Sequence, residues 1–157
     1  MKRIALLFLL TLFLMPTDNR AAVNHLSNSH RELLEHITLF RPVKSKSEIP
    51  SAVLALCADS NGRLADIGGR WEATDLITNN KLPQKRLIWA AVYQNYYLVH
   101  YERGGRGHSF HILLAQAEGG EKADALWRAV GDRYSDILAF TKALRNNQMD
   151  DDPKFAY

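Results

Sequence analysis

The chain has 157 residues, is 46% hydrophobic and 24% charged, and carries a formal net charge of +3. Those proportions describe one folded domain and exclude both a disordered chain and a multi-domain enzyme. The sequence shows no solenoid repeat or coiled-coil heptad, no nucleotide-binding glycine fingerprint and no paired cysteines, which removes the chemistries those motifs carry.

Residues 1–21 read as a secretory leader. Lys2 and Arg3 precede the apolar run Ile4–Met15, and Pro16 ends it. Twelve residues are too few for a comfortable bilayer crossing but suit a signal-peptide h-region. Cleavage after Ala21 or Ala22 puts Asn19 or Arg20 where a small residue is preferred, so an uncleaved membrane anchor is the alternative. The expected location is periplasmic or secreted. Without residues 1–21, Lys+Arg falls from 20 to 17 and Asp+Glu from 17 to 16, leaving a net charge of +1. A nucleic-acid surface needs clustered, unbalanced cations, so no nucleic-acid partner is expected.

Residues 22–147 read as a single α+β domain. Ser29-His-Arg-Glu32 has capping-box form and is followed by Leu33, Leu34, Ile37 and Phe40 at helical spacing, which predicts a helix over 29–40. His25, His30 and His36 near it lack the spacing of a metal clip and read as surface residues. Arg41-Pro42 stops that helix, and Pro50 opens a second, short one ending near Cys57. Cys57 is the only cysteine and lies in an apolar stretch, where a buried, inert thiol is expected. Asp59-Ser-Asn-Gly62 is turn chemistry.

From residue 63 the pattern turns to strands: a weak segment at Leu64–Ile67, then Trp71–Ile77, Arg86–Tyr93, Tyr96–Arg103 and His108–Ala115. Gln94-Asn95 is a two-residue hairpin loop, and Gly104-Gly105-Arg106-Gly107 a glycine-rich turn. After Gly119-Gly120, Leu126, Val130, Tyr134, Ile137, Leu138, Thr141 and Leu144 recur at three or four residues. That spacing predicts a long amphipathic helix over 121–146. Residues 148–157, with Asp150–Asp152, read as a flexible acidic tail. The expected architecture is therefore N-terminal helices, an antiparallel meander of three to four strands, and the long C-terminal helix packed on one sheet face.

Turn lengths set the expected registers. The Gln94-Asn95 loop pairs Tyr93 with Tyr96, Trp89 with His100 and Ile88 with Tyr101; a four-residue loop at 104–107 pairs Arg103 with His108 and His100 with His111. Side chains alternate along strands. One face then holds Ile88, Ala90, Val92, Tyr97, Val99, Tyr101, Phe110, Ile112 and Leu114, the expected seat of the long helix. The other holds Trp89, Tyr93, Tyr96, Leu98, His100, Glu102, Ser109 and His111. The 29–40 helix or a second subunit is one cover for that face.

The functional expectation is an exported, non-enzymatic binding module. It would recognise a protein or small-molecule ligand through Trp89, Tyr93, Tyr96, His100, Glu102 and His111, or through the 104–107 turn. Aromatic side chains supply contact area at low entropic cost. One alternative is a metal-assisted hydrolase in which His100, His111 and Glu102 hold zinc. The other is a structural homodimer built on the same face. Beyond that zinc, no cofactor is expected.

Overall fold

A computed structural model describes residues 23–74 and 79–155. The leader expected at 1–21 lies outside the described residues, as do positions 75–78 of the strand expected at Trp71–Ile77. Residues 71–74 form no strand.

The molecule is α+β: a five-stranded antiparallel sheet in simple sequence order, with helices on both faces. Helix α1 (Asn28–Glu35) starts two residues earlier than its capping-box sequence implies. Its N-cap is Ser27, whose hydroxyl accepts the His30 N–H. A single 3-10 turn follows at Ile37–Leu39, then β1 (Arg41–Val43), a three-residue edge strand where Pro42 is tolerated. Helix α2 (Ser51–Cys57) begins directly after Pro50, as expected. The Asp59–Gly62 turn forms too, its Asp59 carboxylate accepting the Asn61 and Arg63 N–H groups. Leu64–Ile67 contributes one isolated parallel bridge, Ala65 to Arg86, rather than a strand.

Strands β2 (Lys85–Tyr93) and β3 (Tyr96–Arg103) pair across the two-residue Gln94-Asn95 loop. The expected register holds from Tyr93↔Tyr96 to Trp89↔His100. A bulge between Leu87 and Trp89 then shifts it, so Tyr101 faces Leu87 instead of Ile88.

The next turn is one residue longer than expected. Arg103 pairs with Ser109 rather than His108, and His100 pairs with Ile112 rather than His111. His108 is drawn into the turn because its ring reaches back to the Glu102 carboxylate, Nε2 to Oε2 at 2.9 Å. A one-residue slip moves every side chain of β4 (Ser109–Glu118) to the opposite face.

The long C-terminal helix does not form. Residues 122–131 are β5 (Lys122–Gly131), hairpinned onto β4 through Gly119 and Gly120, which sit at φ 63° and 85°. A bulge between Leu114 and Ala115 offsets this ladder. It places Trp127 and Ala129 on one face and leaves the three-to-four spacing that imitates a helix. Only Ile137–Arg145 is helical (α3). It is capped by Asp136, which accepts the Ala139 N–H at 2.8 Å.

Two apolar clusters result. Ala91, Leu98, Ile112, Leu114, Trp127 and Ala129 pack against Leu34 of α1 and Phe140, Ala143 and Leu144 of α3. Leu87, Ala90, Val99, Tyr101, Leu113 and Ala115 pack against Val53 and Cys57 of α2. The C-terminal helix thus covers the Trp89 face, not the Tyr101 face assigned to it, and both sides of the sheet are filled. Residues 149–151, part of the tail expected to be loose, are packed. Met149 is fully buried, Val130 and Asp150 form a bridge, and Asp151 accepts the Trp127 indole N–H and the Asn24 and His25 backbone N–H groups. Among the described residues no helix is long and apolar enough to cross a membrane.

Candidate functional site

The register of β4 decides which of the expected site residues meet. His100 stays on the Trp89 face, fully buried. Its Nδ1 lies 2.9 Å from the His111 carbonyl, and its Nε2 accepts the Tyr134 N–H at 3.2 Å. A carbonyl cannot donate and a backbone N–H cannot accept, so the ring is the neutral Nδ1–H tautomer. Burial depresses its pKa to about 4, which keeps it neutral. His111 emerges on the other face, stacked on Tyr101 with ring centroids 5.1 Å apart and hydrogen-bonded through Nε2 to the Ser109 hydroxyl at 2.8 Å. Burial, reinforced by Lys85, Arg103 and Arg128, lowers its pKa to about 4 as well.

Glu102 is on the side of His100, but its carboxylate is committed. It takes the Arg86 guanidinium on Oε1 at 2.6–2.7 Å and His108 on Oε2. Trp71 lies over both partners, 5.0 Å from the Arg86 guanidinium and 5.4 Å from the His108 ring. His100, His111 and Glu102 therefore do not converge on a common point, which corrects the geometry drawn for a metal centre. Among the described residues no group of three or more His, Cys, Asp or Glu side chains is placed to hold a metal.

Trp89, Tyr93 and Tyr96 are half-buried against the cluster beneath α1 and α3. The Trp89 indole donates to the Tyr134 carbonyl at 2.9 Å, Tyr93 meets Phe40, and Tyr96 meets His30 edge-on. These side chains are engaged by the chain's own elements. Cys57 is fully buried and its thiol is pushed up to about 12 by burial, so it is no nucleophile at neutral pH.

The polar concavity lies instead at the end of the sheet where β3 turns into β4. A cavity of about 310 Å³ is lined by Thr74, Gln84, Arg103, the glycine turn, Arg106 and Ser109. Gly105 and Gly107 take φ of 103° and 79°, which lets the turn fold back over the opening. Its wall is tied down by Gly104 N–H to the Gln84 carbonyl and Gly105 N–H to the Ala73 carbonyl. Two guanidiniums, two hydroxyls and an amide thus line one opening, with no carboxylate among the described residues that line it. Glu72, in that wall, is buried and turned to the Thr74 hydroxyl and the Asn79 N–H.

A larger cavity, about 560 Å³, lies outside α3 against Ile37 and Leu138. Its polar side chains are mostly spent on structure: Asp136 caps α3, Thr141 bonds the Ile137 carbonyl, and Arg145 bonds the Glu35 carbonyl. The smaller opening is the better site because two guanidiniums and an amide share its lining, beside Thr74 and Ser109 hydroxyls that already meet Glu72 and His111.

Of its residues, Arg106 lies in the 104–107 turn that the sequence offers as an alternative site, whereas Thr74, Gln84, Arg103 and Ser109 are not singled out from sequence. The usable signal was the run Arg103-Gly-Gly-Arg-Gly107, two cations inside a turn that must adopt left-handed backbone. Compared with protein-family models, with curated proteins and with solved structures, the chain matches none of them.

Proposed function

We propose that this chain is an exported, non-enzymatic binding module that takes a small anionic ligand at the glycine turn between β3 and β4. The observation that carries this reading is the opening lined by Arg103, Arg106, Ser109, Gln84 and Thr74, with no carboxylate among the described residues that line it. Arginine forks match the planar oxygens of carboxylate and phosphate, and the Gln84 amide adds a directional donor. The binding role is kept from the sequence reading, with the ligand at its alternative site, the 104–107 turn, in place of the Trp89–His100 face. The aromatic face is occupied by α1 and α3, which also disfavours it as a homodimer surface or as the seat of a hydrolase. Export rests on the Lys2-Arg3 start and the apolar run Ile4–Met15.

Calorimetric titration with inorganic phosphate at low ionic strength tests the reading. Saturable one-site binding is expected, with affinity on the order of a millimolar. Arg103→Ala and Arg106→Ala are each expected to weaken it severalfold without lowering the melting temperature. Absence of binding in the unmodified protein, or affinity indifferent to both arginines, contradicts it.

A further inference from the structure

The glycine-turn cavity has a neighbour. A second opening of about 200 Å³ is lined by Asp59, Ser60, Gln84, Lys85 and Arg103, so Gln84 and Arg103 stand in the walls of both. The sheet puts them there. Lys85 pairs with Arg103 across β2 and β3, and Arg103 with Ser109 across β3 and β4. All three side chains therefore project from one face at one level of the ladder.

The charges in this second opening are unequal. Among the described residues Asp59 is the one acid lining it, and its carboxylate is turned inward. It accepts the Asn61, Arg63 and Gln84 backbone N–H groups and lies 3.6 Å from the Arg63 guanidinium. Lys85 is half-buried, its ammonium 5.3 Å above the Tyr101 ring and next to Arg103. Burial lowers its pKa, and the Arg103 and Arg128 charges push the same way. An anion set between Lys85 and Arg103 would relieve that repulsion, just as one between Arg103 and Arg106 would in the first opening.

We infer that the natural ligand carries two anionic groups, one for each opening, with Arg103 between them. This rests on the anion-binding reading above and extends it to the ligand's class: a compact phosphate or carboxylate dianion. Among the described residues no aromatic side chain lines either opening, and none of those lining residues offers a nucleobase a stacking platform.

The test compares inorganic pyrophosphate with inorganic phosphate, and succinate with acetate, by calorimetry at matched ionic strength. At least one two-headed probe is expected to bind tenfold or more tightly than its one-headed counterpart. Lys85→Met, which keeps the apolar stem over Tyr101, is expected to abolish that advantage. Lys122→Met removes the same charge from β5 and is expected to preserve it. Should Lys85→Met melt early, Lys85→Gln takes its place. Phosphate binding with no advantage for either two-headed probe, or an advantage that survives loss of Lys85, overturns the two-anion inference and leaves the single-anion reading standing. No binding of any probe overturns the single-anion reading itself.

Discussion

His100 and His111 share a buried, neutral state reached by different routes. His100 bridges two backbone groups, the His111 carbonyl and the Tyr134 N–H, and so fastens the segment before α3 to the middle of the sheet. His111 is sandwiched between the Tyr101 ring and the Ser109 hydroxyl. Each has a folded pKa near 4 against about 6.5 when unfolded. Between those values the unfolded chain binds more protons, so stability rises with pH there and is lost as pH falls from about 6.5 towards 4. Each ring contributes on the order of 3 kcal/mol across that window. The melting temperature is therefore expected to fall steeply between pH 7 and pH 4.5, and less steeply in His111→Phe. A flat profile over that range contradicts the buried-neutral assignment. The sequence marks both histidines as lying amid apolar strand residues. Their separation onto opposite faces is not legible, because it depends on the number of residues in one turn.

At the level of elements, hairpin chemistry was readable where the loop was shortest. Gln94-Asn95 is a two-residue connection, and the β2–β3 register it implies holds through five residue pairs from Tyr93↔Tyr96 to Trp89↔His100. The β3–β4 turn was not readable, because the attraction between His108 and Glu102 adds a residue to the loop. The same contact leaves Ser109 level with Arg103 and so builds the candidate site. The 121–146 segment misled for another reason. A bulged strand followed by a short helix leaves apolar residues at three-to-four spacing, and Gly119-Gly120 reads as a break as easily as a hairpin. The wall of the site makes its own prediction. A Cβ on Gly104 would collide with the Glu72 carbonyl oxygen and lie 2.7 Å from the Ala73 Cα. Gly104→Ala is expected to push the 71–74 segment off the turn, lower the melting temperature by several degrees and abolish phosphate binding. Binding at undiminished affinity in that variant would show that this wall does not shape the site.

On the scale of the whole molecule, the sheet is a partition filled on both sides, α1 and α3 on one and α2 on the other. Asp151 locks the arrangement from below by gathering the Trp127 indole and the Asn24 and His25 N–H groups. Burial alone would raise its carboxyl, but those donors hold it below the usual range. With both broad faces spent on packing, the proposed ligand site falls on the rim, at the polar opening of the β3–β4 turn. Amide chemical shifts of isotopically labelled protein, followed during titration with inorganic phosphate, test that placement most directly. Progressive, saturable shifts are predicted for Gly104 through Ser109 and for Gln84, with the amides of α1 and α3 unmoved. An unchanged spectrum, or shifts centred on Ile37 and Leu138, would contradict it.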